Sequence, residues 1–321
     1  MADEVPTVSV VVPTYYRNEL LQDALESIRQ QTHTGIETIV VDDSGEANAA
    51  EVVKERKNVI YIALEQNAGP HAARSIGASA ATGEFVQFLD DDDLLHEKKF
   101  SKQIPLFSES TGVVYSGVKI QETGEIKYPN ESNRGSVLRE ALKIHLFEPA
   151  CTCSLLIKRS IVDDILPLKN RHGCDDDGLM IELAQRTKFD FVEEPLVTLR
   201  KQTEYSVGSF QGGIQGRKQI LDMYSDLYDS HPPEVRHHVL FDINRWTSKQ
   251  QLELEKNLWS LRAIEANIKA AYYAPRNRTK RVGLALASVF GRPGVRAAKR
   301  AYSAVSNVVG HVGTRNDRSA T

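Results

Sequence analysis

Four consecutive carboxylates, Asp90-Asp91-Asp92-Asp93, follow directly on the apolar run Phe85-Val86-Gln87-Phe88-Leu89. Adjacent aspartates repel one another, and the repulsion is relieved by broad solvation or by a cation. A hard divalent ion such as Mg2+ prefers carboxylate oxygens and commonly takes phosphates as its remaining ligands, so such a cluster is suited to holding a metal-bound diphosphate. In an extended chain Asp90 and Asp92 share one side while Asp91 and Asp93 share the other, which makes Asp90 and Asp92 the expected pair. The alternative is structural: an acidic turn that ends a strand and caps a helix beginning near Leu94. Two more acidic groups recur, Asp42-Asp43 after another apolar run and Asp175-Asp176-Asp177 before an apolar segment. The last trio falls at or near a predicted helix N-cap, where Asp175 or Asp176 could serve as the cap alone.

The elements that must position these groups are legible from periodicity. Val8-Ser9-Val10-Val11-Val12 has the composition of a buried parallel strand and is predicted to stop at Pro13. Helical spacing of Leu20, Leu21, Ala24, Leu25 and Ile28 predicts a helix over 19–31. Strands are predicted over 37–41, 59–64 and 85–89, with helices over about 47–56 and 69–81. Strand and helix thus alternate four times in about ninety residues, which argues for a doubly wound, mostly parallel α/β sheet. In such sheets the carboxyl ends of the strands bind ligands. Beyond the acidic run the pattern becomes mixed, with strands predicted over 112–116, 118–120 and 153–157, and a last strand within 189–199. Helices are expected near 137–145 and over 175–186. From Gln211 the chain reads as helical, broken at His231-Pro232-Pro233, with a long segment over 235–273.

With 321 residues, 41% hydrophobic and 26% charged, the chain can bury a sizeable core. The formal charge of -3 conceals an asymmetry: from Arg276 to Thr321 ten Lys and Arg stand against one Asp, a charge of +9, leaving -12 on residues 1–275. Body and tail are therefore expected to meet different partners. Cys151, Cys153 and Cys174 form an odd set without a four-ligand zinc pattern, which favours reduced thiols in a cytoplasmic protein. The acidic start MADEVPT does not read as a signal peptide. No stretch reaches the roughly 18 to 20 apolar residues of a membrane span.

The motifs VVVPTYYR, IVVDDSG, NAGPHAARSIGASAATGEFVQFLDDDDLL and CDDDGLMIELAQR, in this order, resemble the family 2 glycosyltransferases, which use nucleotide sugars and have the fold called GT-A. The resemblance covers residues 8–199 and implies a Rossmann-like domain over 1–210, followed by a helical extension over 211–275 and a basic amphipathic tail over 276–321. By that resemblance Pro13, Thr14 and Tyr15 wall the nucleotide site, Asp42 bonds the base with Asp43 beside it, and Arg74 stands on the nucleotide side. Asp90 and Asp92 resemble the DXD acids: Asp90 nearer the ribose, Asp92 the better ligand for Mg2+ or Mn2+, and Asp91 grouped with the donor-binding residues. Asp176 aligns with the family's general base, which takes the acceptor hydroxyl's proton while the metal stabilises the departing diphosphate. Crowding by like charges raises a carboxylate's pKa, which suits that task. The chain has Ser75 where the family usually has Asn, Asp175 where it usually has Glu, and no His in Leu199-Arg200-Lys201-Gln202. A surface cation paired with a neighbouring acid is the plainer role for Arg74.

The resemblance implies an inverting, metal-dependent hexosyltransferase that moves sugar from a UDP- or GDP-sugar to a lipid-linked or other glycan acceptor at the inner membrane face. In the tail, Val295, Ala298, Tyr302, Val305 and Val309 share a helical face beside Arg292, Arg296, Lys299 and Arg300. Such a segment suits an anionic membrane surface, or packing on its own domain. Nucleic acid is not expected, because the body is acidic and the tail has no base-reading motif. Two competing readings remain at this level. One is a non-catalytic nucleotide-sugar-binding scaffold of a membrane glycan assembly complex. The other is a haloacid-dehalogenase-like phosphatase, whose DxD motif normally sits on the first strand, whereas here three strands precede it.

Overall fold

A computed structural model of the chain describes residues 7–56, 58–144, 149–200, 210–254, 260–274 and 278–313. Two compact units divide it, residues 1–208 and 209–321. In the first, β1 (Val8–Thr14), α1 (Asn18–Arg29), β2 (Ile36–Asp42), α2 (Ala50–Val53), β3 (Val59–Ala63), α3 (Pro70–Ala80) and β4 (Phe85–Phe88) alternate. There follow β5 (Leu94–Leu95), α4 (Lys99–Gln103), β6 (Thr111–Ile120), β7 (Ile126–Lys127), α5 (Leu138–Leu142), β8 (Leu156–Lys158), α6 (Arg159–Asp163), α7 (Asp175–Ala184) and β9 (Lys188–Leu199). All nine strands form one sheet in the order β3-β2-β1-β4-β8-β6-β9-β5, with β7 on β6.

The alternation seen in the sequence produces the parallel half, β3-β2-β1-β4. The remainder is mixed: β8 runs antiparallel to β4 and β6, while β9 is parallel to β6. Period two then divides β1 between two helical layers. Val8, Val10 and Val12 share a buried cluster with Leu21, Ala24, Leu25 and Ile28 of α1. Val11 faces the other way, against α3, where a Cβ on Gly77 would lie 2.3 Å from Val11 Cγ1. The order of strand addition reverses between β1 and β4, because β2 and β3 add on one side of β1 and β4 on the other, all four running parallel. This is the topological switch point where α/β sheets open a crevice.

Four local predictions change. β1 continues through Pro13, which pairs with Val41. The Val11 carbonyl accepts the Leu89 amide at 2.9 Å, so Pro13, two residues on, faces the same side after β4 has turned away, and its missing N–H leaves no rung unmade. The four aspartates do not continue the strand. They bend into a turn closed by Asp93 N to Asp90 O at 3.1 Å, so the two-sided alternation expected of an extended chain does not hold. Leu94 and Leu95 form a strand paired to Thr198 and Val197, not the start of a helix, which begins instead at Lys99. The helix expected to reach His145 ends at Leu142, and His145 itself lies outside the described residues.

The second unit is helical: α8 (Phe210–Met223), α9 (Ser225–Asp229), α10 (Pro233–Lys249), α11 (Leu261–Tyr273), α12 (Arg278–Ser288) and α13 (Gly291–Gly313). The segment read as continuous over 235–273 is two helices, α10 and α11. No helix among the described residues is long and apolar enough to cross a membrane.

Candidate active site

The carboxyl ends of β1 and β4, the start of α3 and the start of α7 surround a cleft of about 910 Å3. Pro13, Thr14, Tyr15, Arg74, Asp90, Asp91, Asp92 and Asp176, drawn from four distant segments, all line it. Tyr15 is fixed as part of the wall by an edge-on contact with Tyr16, ring centroids 4.7 Å apart. Asp42 is placed elsewhere. Its buried carboxylate accepts from Ser44 N at 3.0 Å, Ala49 N at 2.7 Å and the Tyr61 hydroxyl at 2.7 Å. Burial works to raise its pKa, but these donors outweigh it and hold the carboxyl below its usual value. Asp43 supplies the lining instead, and its oxygens accept the Ala68 and Gly69 amides at 2.6 and 2.8 Å, bringing in the loop before α3.

The acidic turn separates its members by partner. Asp91 accepts from Thr14 Oγ1 at 2.8 Å and from Arg17 at 3.1 Å, and Arg17 also reaches Asp92 at 2.9 Å. Asp90 pairs with Arg74. Asp93 accepts the Arg200 backbone amide at 3.0 Å, while the Arg200 guanidinium grips the Asp92 carbonyl and Asp23. Arg200 thus ties the end of β9 to the acidic turn. Oxygens of Asp90, Asp92 and Asp93 lie within 4.8 Å of one another, a donor set suited to a hard divalent cation. Burial, reinforced by Asp90, pushes Asp93 up to about 8. Burial likewise carries Asp91 to about 6 in spite of Arg17. Burial is the first cause of both shifts, and three carboxylates gathered this closely present oxygen donors that fit a bound cation.

Across the cleft, α7 begins at Asp175 with Cys174 as N-cap and no side-chain capping bond. Asp175 accepts the Arg171 amide at 2.6 Å. Asp176 is free of the capping role and accepts a hydrogen bond from the Thr152 hydroxyl. It stays open to solvent through the cleft but is closely ringed by protein. That crowding, together with Asp90 and Asp177, raises its pKa against the pull of Arg74 and Thr152. Arg74 is buried, not a surface cation. Burial works to lower its pKa, yet the charges of Asp90 and then Asp176 hold it firmly protonated. It therefore sits electrostatically between the acidic turn and the α7 acids.

Arg17 and Thr152 do not emerge from the sequence reading, which names Asp93 in the acidic run and Arg200 after the last strand but gives neither a role in the site. For Arg17 a signal exists, a cation three residues past a strand end that faces an acidic run. Thr152 has none, since its contact with Asp176 spans 24 residues.

Residues 9–166 match the model of Glycosyl transferase family 2. An "Uncharacterized glycosyltransferase" of Rickettsia bellii is 33% identical over 198 residues, covering 60% of this chain and 28% of that protein. The "GalNAc(5)-diNAcBac-PP-undecaprenol beta-1,3-glucosyltransferase" of Campylobacter jejuni is 35% identical over 127 residues, covering 38% of this chain and 41% of that protein. The chain spans about a third or less of the length of several curated relatives it matches. Among solved structures, S. aureus TarS 1-349 in complex with UDP-GlcNAc aligns with a TM-score of 0.61 at 17% identity, covering 92% of this chain and 91% of that one, which shows a shared fold.

Proposed function

Since this chain belongs to glycosyl transferase family 2, we propose that it is an inverting glycosyltransferase that moves a hexose from a UDP- or GDP-sugar to a lipid-linked or other glycan acceptor at the inner membrane face. The observation that carries the reading is the meeting in one cleft of the Asp90–Asp93 turn and Asp176, with Arg74 between them. Pro13, Thr14, Tyr15 and Asp43 form the wall for the nucleoside, and Asp90 and Arg74 face its ribose and diphosphate. Asp42, sequestered behind that wall, shapes the β2 turn and leaves contact with the base to its neighbours. Asp90, Asp92 and Asp93 would hold Mg2+ or Mn2+, which, when bound, neutralises the diphosphate and aids its departure.

The remaining chemistry belongs to the chain's own residues. Asp176 takes the proton of the acceptor hydroxyl as its oxygen bonds to the anomeric carbon and the bond to the diphosphate breaks on the opposite face, which inverts the configuration. The raised pKa of Asp176 brings its basicity nearer neutral pH than an ordinary carboxylate. Thr152 holds one carboxylate oxygen, leaving the other for the acceptor. An acceptor built on a lipid, such as the Campylobacter relative's name describes, suits a protein with a basic, apolar-faced tail.

Asp176→Asn tests the reading. Nucleotide-sugar affinity should stay within a few-fold while turnover falls by roughly 100-fold or more. Near-normal turnover would remove Asp176 from the reaction.

A further inference from the structure

Helix α12 buries one face and exposes another. Leu284, Ala285 and Ser288 are buried, and Leu284 packs in a cluster with Leu252, Ala263 and Val295. On the opposite side Val282, Leu286, Val289 and Phe290 are 46%, 67%, 52% and 78% exposed. Their spacing of four, seven and eight residues places them on one helical stripe, continued into the turn. A stripe of large apolar side chains left in water marks a binding surface more often than chance.

The turn joins this stripe to a second feature. Gly291 takes a positive φ of 66°, and a Cβ on Gly294 would sit 2.3 Å from the Ala287 carbonyl, so the end of α12 and the start of α13 lie in close contact. Arg292, Arg296 and Arg300 then recur every fourth residue along α13 and line a groove of about 360 Å3 with Pro293 and Ala297. None of the three arginines forms an ion pair among the described residues, and Arg292 Nε is buried without a hydrogen-bond partner. No Asp or Glu occurs in the sequence between Glu265 and Asp317, so α12 and α13 carry no acid of their own beside these arginines.

We propose that the α12–α13 hairpin is a docking surface for an anionic phospholipid bilayer: Leu286, Val289 and Phe290 enter the boundary between headgroups and acyl chains, and Arg292, Arg296 and Arg300 take lipid phosphates. Charge complementarity selects this occupant, since a ridge of apolar residues bordered by uncompensated arginines matches an interface that is oily beneath and negative above. A protein partner would have to bring both an apolar patch and a row of acids. The inference rests on the membrane part of the reading above and is independent of the catalytic assignments, all of which lie before residue 200.

The test uses full-length protein and sedimentation with phosphatidylcholine vesicles made with or without phosphatidylglycerol. The wild type should partition onto the anionic vesicles at least about tenfold better than onto the neutral ones, with the difference shrinking as salt rises. Arg292→Ala/Arg296→Ala/Arg300→Ala should abolish the anionic preference, and Leu286→Ser/Phe290→Ser should weaken binding about tenfold at fixed salt. Phe290→Trp should gain a blue-shifted emission over wild type on anionic vesicles only. Because the changed side chains are exposed or line an open groove, melting curves and donor hydrolysis should match wild type in every variant. That match separates failure of the docking surface from failure of the catalytic reading. Equal binding to neutral and anionic vesicles, unchanged binding in both multiple variants, or displacement by millimolar inorganic phosphate would each overturn the proposal. A concentration-dependent dimer that Leu286→Ser/Phe290→Ser dissolves, without vesicle binding, would assign the stripe to a second copy and overturn it as well.

Discussion

At the residue scale, the acidic turn sets four carboxylates against Arg17, Arg74 and Arg200, and their crowding has a measurable consequence. Asp92 has its Oδ2 on Arg17 and also lies in the oxygen cluster with Asp90 and Asp93. If it ligates a cation that bridges the diphosphate, Asp92→Asn should abolish transfer and weaken nucleotide binding far more in Mg2+ or Mn2+ than in EDTA. Equal weakening in both would show that Asp92 acts through Arg17 alone. Thr152 offers a second test, through pH. A base works deprotonated, so turnover should rise with pH through the pKa of Asp176, which lies above the ordinary 3.8 because of the protein crowded around it and neighbouring charge. The Thr152 hydroxyl is among the groups that lower it, so Thr152→Val should move the acidic limb of the rate profile to higher pH, and Thr152→Ser should restore it. A profile unmoved by Thr152→Val would leave the hydroxyl a packing role. The aspartates could be picked out from the sequence because adjacent like charges are conspicuous there. Thr152 could not, nor could the roles of Asp93 and Arg200, because what sets these is a partner 24 to 108 residues away.

At the element scale, α3 carries Arg74 to the cleft and is seated by Gly77, one turn further on. A Cβ there would lie 2.3 Å from Val11 Cγ1 and 3.1 Å from Val41 Cγ2, both buried in the sheet. Gly77→Ala should therefore cost about 1–3 kcal/mol by overpacking. That corresponds to a fall in Tm of roughly 2–4 °C per kcal/mol in a unit of this size, readable by calorimetry, with nucleotide affinity falling as Arg74 shifts. An unchanged Tm would mean that the helix can slide without cost. The strand and helix alternation that places α3 was legible because buried parallel strands are continuous apolar runs and amphipathic helices repeat every 3.6 residues. The β5 pair was not, since two leucines carry no period and their strand character comes from Thr198 and Val197 across the sheet. Nor was Lys99, a fully buried lysine whose ammonium bonds Gln87 and Gln103 at 2.5 and 2.6 Å. Composition marks lysine as surface, and only the folded network of buried amides shows why this one is inside.

At the scale of the whole molecule, the charge asymmetry follows the division into units only in part. The basic stretch begins well inside the second unit, and α8 to α11 precede it. Every described residue that lines the cleft lies between Pro13 and Leu199, and the sheet that positions them ends with β9 at Leu199. The first unit also has its own buried cluster, from Val8 to Val197, with α1 packed on β1. Binding of the donor should thus be a property of residues 1–208, whereas any attraction to an anionic surface should belong to residues 209–321. Expressed alone, residues 1–208 should unfold cooperatively and bind a nucleotide sugar within about threefold of the full chain, since ligand stabilisation reports only the state that carries the site. They should also lose salt-dependent adsorption to anionic vesicles. Thermal unfolding with and without donor, run on both forms at the same metal concentration, measures the first point. A first unit that aggregates, or that melts without response to any donor stabilising the full chain, would show that the helical unit helps to hold the cleft together and does not merely follow it in sequence.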